Sequence, residues 1–218
     1  VNGIKINTEK KLLEDFPKSA GFDYTKDQKR SIKEIFADLS SGRVMDRLLS
    51  GDVGFGKTEV AMNAMLAVVL DGFQALFICP TTLLASQHFH GIQKRFSEFG
   101  IKVAKLDGKT SAKEKTSIKK ALENGDIQIV IGTHSLLSVK TKDLALVIID
   151  EEHKFGVKQK EKLKQLREDV HIFSMSATPI PRTLNLALSK LKGMSSLLTP
   201  PTERLGVRTY VKEFSDKL

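Results

Sequence analysis

Cysteine is nearly absent from this sequence: Cys79 is the only one in 218 residues. A single cysteine excludes an internal disulfide and fits a reducing compartment. Its place at the end of the apolar run Ala75-Leu-Phe-Ile78 marks it as a small core residue rather than a nucleophile. No apolar stretch is long enough to span a bilayer; the longest, around Ala61 to Leu70, is interrupted by Asn63. The chain opens without a basic, apolar, small-residue signal, and it has neither an internal repeat nor a low-complexity tract. It begins at Val1 rather than methionine, as a segment of a longer protein would. These absences together predict a cytoplasmic globular domain.

What is present is ordinary in bulk and unusual in sign. Forty per cent of residues are hydrophobic and 28% are charged, a composition that folds rather than stays disordered. Lysine and arginine number 35 against 26 aspartates and glutamates, a formal charge of +9. Such an excess suits a polyanionic partner, although a lysine-rich solvated surface gives the same count.

Short apolar runs alternate with amphipathic helical stretches. The expected strands are Arg47–Ser50, Ala75–Cys79, Val103–Leu106, Ile127–Ile131, Leu144–Ile149 and Ile172–Met175. The expected helices are Asp27–Leu39, Thr58–Leu70, Leu83–Phe99, Ala112–Glu123, Lys158–Arg167 and Arg182–Leu191. Ser111 and Glu114 fit a capping box, and Gly72, Gly100, Gly125 and Gly193 stand where helices should stop. Runs without strict alternation suit parallel strands covered on both faces, so the alternation predicts an α/β fold with a doubly wound parallel sheet. The first twenty residues have no strong period. The tail after Pro200-Pro201 reads as a linker, with a strand expected at Thr209–Lys212.

Gly51-Asp52-Val53-Gly54-Phe55-Gly56-Lys57-Thr58 satisfies G-x-x-x-x-G-K-[ST], with apolar Leu48-Leu49 before it and a helical pattern after it. In such a loop glycines let successive backbone N–H groups face phosphate oxygens at the positive end of a helix. Lys57 is expected to reach the β and γ phosphates of ATP and Thr58 to ligate Mg2+. The run Leu146-Val-Ile-Ile-Asp150-Glu151-Glu152-His153 would carry an acidic pair to the carboxyl edge of the sheet. There Asp150 can hold Mg2+ and Glu151 can orient or deprotonate the attacking water.

Asp150-Glu-Glu-His153 has the form D-E-x-H, and from here the sequence resembles superfamily 2 helicases. Phe22, Thr25 and Gln28 resemble the family's Q motif, where the glutamine reads the adenine edge and an aromatic residue packs nearby. Pro80-Thr81-Thr82 through Gln87-His88 resembles motif Ia, and Gly132-Thr133-His134 resembles motif Ib. The resemblance implies that Thr81, Thr82, Gln87, Thr133 and His134 touch a nucleic-acid backbone, which carries little sequence information. Thr and Ser after a strand are also good helix N-caps, so the same hydroxyls have a structural reading. Ser176-Ala-Thr178 resembles motif III; with His153 and Arg182 it is implied to couple the nucleotide site to the nucleic-acid track.

Longer stretches narrow the likeness. Met45 to Ala61, Asp150 to Val157, Ser176 to Leu184 and Thr199-Pro-Pro are similar to the transcription-repair coupling branch of that superfamily. RecG-type branch-migration helicases share Thr178-Pro-Ile-Pro-Arg-Thr183, but usually carry serine at the place of Phe55 and glutamine at that of Glu152. Lys154 departs from the usual arginine. The resemblance implies a motor on double-stranded DNA that displaces stalled RNA polymerase and recruits excision repair through UvrA, both partners bound by modules outside these residues. It divides the chain into a lead-in (1–21), a RecA-like ATP-binding domain (22–199) and an exit linker (200–218) towards a second motor lobe. The arginine that completes ATP hydrolysis is expected from that second lobe, since Arg182, Arg204 and Arg208 are poorly placed to supply it. A P-loop kinase acting on a small molecule would leave the motif Ia, Ib and III series unexplained. A degenerate binding module would not keep Lys57, Thr58, Asp150 and Glu151.

Overall fold

Leu144–Ile149 shows why the apolar runs are continuous. In the computed structural model every residue of this strand is buried, with Leu146 and Ile148 in one hydrophobic cluster and Val147 and Ile149 in another. Period-two geometry splits one run between two cores, one on each face of the sheet. The structure describes residues 2–201 except 152, 153, 155, 167, 179, 181 and 189–192, and only the backbone of 166, 182, 185 and 188.

Seven parallel strands form one sheet: β1 Asp46–Gly51, β2 Gln74–Ile78, β3 Val103–Leu106, β4 Ile129–Gly132, β5 Leu144–Ile149, β6 His171–Ser176 and β7 Gly193–Leu197. Their order is β3-β4-β2-β5-β6-β1-β7. The helices are α1 Lys11–Asp15, α2 Lys26–Ser40, α3 Lys57–Leu70, α4 Thr82–Ser97, α5 Ala112–Asn124, α6 Val157–Leu166 and α7 Arg182–Leu188. Short 3-10 turns cover Phe16–Ala20 and His134–Ser138. Helix α3 is buried from Glu59 to Val68, as its nearly unbroken apolar sequence requires.

Each strand and helix expected within the described residues is present, with ends displaced by a few residues. Besides the short 3-10 turns, β7 and the α1 lead-in were not expected. Gly193 opens β7, which pairs in parallel with β1. The sequence Gly-Met-Ser-Ser-Leu has little β-propensity; it is held by Arg47, whose guanidinium donates to Met194 O (3.1 Å) and Ser195 Oγ (3.0 Å). The lead-in, aperiodic in sequence, sends Ile6, Leu13 and Phe16 into the same core as α3. The expected strand Thr209–Lys212 and the end of the helix expected to reach Leu191 lie outside the described residues.

Candidate nucleotide site

Strands β5, β6 and β1 are adjacent in the sheet, so their carboxyl ends bring Asp150, Ser176 and the phosphate loop together from positions about a hundred residues apart. Beyond β5 lie β2, leading into Thr81 and Thr82, and β4, leading into Thr133. The sequence motifs thus line one edge of the sheet, where ligands bind in such folds.

The loop is shaped by left-handed glycines. Gly54 and Gly56 have φ of 80° and 86°, a region unfavourable for residues with a Cβ. At Gly56 a Cβ would also fall 2.2 Å from Gln28 Nε2. Val53, Gly54, Gly56, Lys57 and Thr58 line a cleft of about 570 Å³ together with Phe22, Gln87, His88, Asp150, Glu151 and Pro201. Gly51, Asp52 and Phe55, expected among the nucleotide contacts, do not line it. Gly51 ends β1, Asp52 Oδ1 accepts from Val53 N (2.8 Å), and Phe55 packs on the hydrophobic core.

Lys57 Nζ donates to the loop carbonyls of Gly51 (2.5 Å) and Asp52 (3.0 Å). Burial lowers its pKa, opposed by the carboxylates of Asp150, Asp52 and Glu151. Asp150 accepts from Glu151 N at Oδ1 (3.0 Å), and its Oδ2 lies 2.8 Å from His88 Nε2. Glu151 has φ of 52°, a left-handed conformation costly for a residue with a side chain, and pairs with Lys154 Nζ at 3.1 Å. Strain of this kind at the end of a buried strand is characteristic of sites where side-chain direction matters more than local stability.

The oxygen donors Thr58 Oγ1 and Asp150 suit a hard cation such as Mg2+. Cys79, His88 and Asp150 also present ligand atoms within 4.8 Å of one another. Burial, reinforced by Asp150 and Glu151, pushes the Cys79 thiol pKa well up, and a protonated thiol is not a ligand.

The remaining expected residues are placed as follows. Phe22 lines the cleft and lies 5.9 Å from the Tyr24 ring. Gln28 is fully buried: its Oε1 accepts from Thr25 N (2.9 Å) in a capping box, and its Nε2 faces Gly56 O (3.4 Å). Both ends of its amide are occupied within the protein, so the expected contact to an adenine edge would require them to exchange. Ser50 Oγ donates to Thr178 O (3.1 Å) and Thr178 N to Ser176 Oγ (3.1 Å), which ties the motif III-like loop to the strand preceding the phosphate loop. His153 and the Arg182 side chain lie outside the described residues.

Thr81 takes its structural role as the N-cap of α4, accepting from Leu84 N (3.2 Å). Thr82 begins that helix, whereas Gln87 lines the nucleotide cleft. Thr133 lines a separate cleft of about 230 Å³ with Asp107, Lys115, Lys119 and Ser135, and His134 opens the 3-10 turn beside it. His88 belongs to the motif Ia-like run, which assigns it no role. Its spacing to Thr58 and Asp150 exists only in three dimensions, so sequence alone could not assign one.

Comparison with known proteins agrees with this geometry. Residues 25–187 match the DEAD/DEAH box helicase family. Over 216 residues the chain is 58% identical to the transcription-repair-coupling factor of Helicobacter pylori (strain J99), covering 99% of this chain and 22% of that protein. It is 44% identical over 214 residues to that of Escherichia coli (strain K12), covering 97% and 19%. The chain therefore spans about a fifth of the length of these curated relatives. RecG bound to a three-way DNA junction superposes with a TM-score of 0.80 at 46% identity, over 92% of this chain and 27% of that one. The expected RecA-like fold holds, and the chain belongs to the DEAD/DEAH box helicase family.

Proposed function

We propose that these residues form the ATP-binding lobe of a double-stranded-DNA translocase that displaces stalled RNA polymerase and couples it to nucleotide excision repair. The observation that carries the reading is the convergence of Lys57, Thr58, Asp150 and Glu151 on one cleft. The size of that cleft falls within the range of small-molecule sites. The polymerase and repair parts rest on the likeness to transcription-repair-coupling factors; UvrA and RNA polymerase would be engaged outside these residues. Branch migration of the RecG kind is the second reading, favoured by the 46% identical structure on a DNA junction.

In this reading the loop N–H groups and Lys57 bind the phosphates of ATP, with Lys57 exchanging two carbonyl partners for phosphate oxygens. Bound Mg2+, held by Thr58 and Asp150, would neutralise charge on those phosphates. Glu151 holds the attacking water and accepts its proton. Phe22 and Pro201 would flank the base. The Ser176–Thr178 loop, bonded to Ser50, would pass the state of the phosphates to neighbouring structure. DNA would lie over Thr82, Thr133 and His134, with Lys115 and Lys119 facing its phosphates. No described arginine side chain lines the cleft, so hydrolysis would wait for one supplied from a second lobe.

The test is ATP hydrolysis by these 218 residues and by a version extended through the second lobe, each with and without duplex DNA. Binding without turnover is expected from the first, and DNA-stimulated turnover from the second. Turnover stimulated by DNA in the first would sink the two-lobe reading. In the extended protein, displacement of a third strand from duplex DNA supports translocation, and preferential conversion of a three-way junction supports the RecG-like alternative. Duplex binding should be indifferent to sequence. Replacing Lys115 or Lys119 should each lower the slope of log affinity against log salt by about one; an unchanged slope removes that cleft from the DNA path.

A further inference from the structure

We propose that His88 is a positioning residue of the metal–nucleotide site: it fixes the Asp150 carboxylate and orients the Thr58 hydroxyl so that both oxygens are free to face one cation. The proposal rests on the ATP-binding reading and assigns a task to a residue that neither the phosphate loop nor the acidic box contains.

The geometry is a bridge. His88 Nε2 is 2.8 Å from Asp150 Oδ2, and His88 Nδ1 is 3.5 Å from Thr58 Oγ1. A neutral imidazole has one donor nitrogen and one acceptor. The carboxylate can only accept, so the proton belongs on Nε2, and Nδ1 is left to accept from the Thr58 hydroxyl. That choice has a consequence for Thr58. With its hydrogen directed at the ring, the lone pairs of Oγ1 turn away from His88 and remain open to a cation. At Asp150 the remaining oxygen, Oδ1, is fixed by Glu151 N at 3.0 Å, so the carboxylate is held from two sides. Metal-binding carboxylates are commonly fixed by partners of this kind, whose loss costs about 10- to 100-fold in metal affinity.

The ring itself is fixed. It packs against Phe77 in β2 with centroids 4.9 Å apart and an interplanar angle of 47°. The His88 side chain is 19% exposed and that of Asp150 10%, so water competes weakly for their hydrogen bond. A direct ligand role is less suited to a hard cation, which takes oxygen donors, because the third member of the donor cluster, Cys79, offers a buried sulfur. His88 also stands on α4, six residues after Thr82. The helix that carries the motif Ia-like residues is thereby hydrogen-bonded to both oxygen donors of the cation.

The experiment measures the affinity of a fluorescent ATP analogue in Mg2+ and in EDTA for wild type, His88→Gln and His88→Phe. Glutamine keeps a donor of similar reach; phenylalanine keeps a ring for Phe77 but has no nitrogen. His88→Ala substitutes should thermal melting show that the larger ring does not fit. The expected result is a loss of about tenfold in Mg2+ for His88→Phe, little change in EDTA, and near wild-type behaviour for His88→Gln. An equal loss in both conditions would make His88 a packing residue and overturn the proposal. So would unchanged Mg2+-dependent affinity in His88→Phe, or a wild type indifferent to Mg2+. A wild type that binds no nucleotide in either condition would overturn the ATP-binding reading itself.

Discussion

The two edges of the sheet treat buried polar groups in opposite ways. At the amino edge, polar side chains are saturated by the protein. Gln74 donates to Leu122 O (2.9 Å) and Ile127 O (2.8 Å), and accepts from Lys142 N (3.1 Å) and Asp143 N (2.9 Å). His171 accepts from Met45 N at Nδ1 (2.9 Å), while its Nε2 faces Ile4 O (2.6 Å). Arg47 binds Asp38, Glu34, Met194 and Ser195. At the carboxyl edge, Lys57 rests on two loop carbonyls and Glu151 is held in a left-handed conformation facing a cleft. One edge is finished by folding; the other, in the proposed reading, keeps its donors and charges for a ligand. Substitutions at the amino edge should therefore cost stability and spare nucleotide affinity, and those at the carboxyl edge the reverse.

The largest effect belongs to Glu151. In a form of the protein that hydrolyses ATP, Glu151→Gln should lower turnover by about 10² to 10⁴, the range for loss of a general base, while ATP affinity changes little. Parallel measurement of phosphate release and analogue binding checks it. A comparable loss of affinity would place Glu151 in binding rather than in chemistry.

At the other edge, Gln74→Leu fills much the same space but takes from Ile127 O and Asp143 N the partner that Gln74 supplies, whereas Leu122 O and Lys142 N still bond each other at 3.2 Å. Each buried group left unpaired costs about 1–3 kcal/mol, so urea unfolding should show a loss of about 2 kcal/mol or more with unaltered nucleotide affinity. A neutral substitution would mean that the loops after α5 and before β5 reseal by themselves.

A smaller effect concerns pH. Burial lowers the His171 pKa, opposed by its bond to Ile4 and by Asp38 and Asp169. A depressed pKa means that the unfolded chain takes up a proton which the folded chain refuses. The resulting stability is complete above the unfolded value of ~6.5 and declines as pH falls below it. Melting temperature should therefore drop more between pH 7.5 and 5.5 in wild type than in His171→Gln, and equal drops would assign the acid sensitivity elsewhere.

The carboxyl edge was more legible in the sequence than the amino edge, for a physical reason. A phosphate loop needs glycines at fixed offsets before a lysine, and an acidic box needs an apolar strand behind it; both are local requirements that leave local patterns. The saturation of Gln74 and His171 depends on carbonyls and amides up to 167 residues away, which no window of sequence displays. Strand β7 was hidden because Arg47, rather than its own β-propensity, secures it. The lead-in was hidden because an extended stretch, one short helix and a 3-10 turn bury Ile6, Leu13 and Phe16 over too few turns to show a period. Gln28 was recognisable as a motif residue, but its capping box with Thr25 and its approach to Gly56 emerged only from the fold.

The division between the edges stands or falls most directly on Lys57. Titration of a fluorescent ATP analogue in Mg2+ into wild type, Lys57→Ala and Gln74→Leu, with the melting temperature of each, sets binding against stability in one experiment. The expected result is a loss of about a hundredfold in affinity for Lys57→Ala, from the missing charge-assisted contacts to phosphate. Its melting temperature should stay within about 2 °C of wild type, since no saturated buried network is broken. Gln74→Leu should melt early and bind normally. Undiminished binding by Lys57→Ala would contradict the assignment of the cleft to nucleotide.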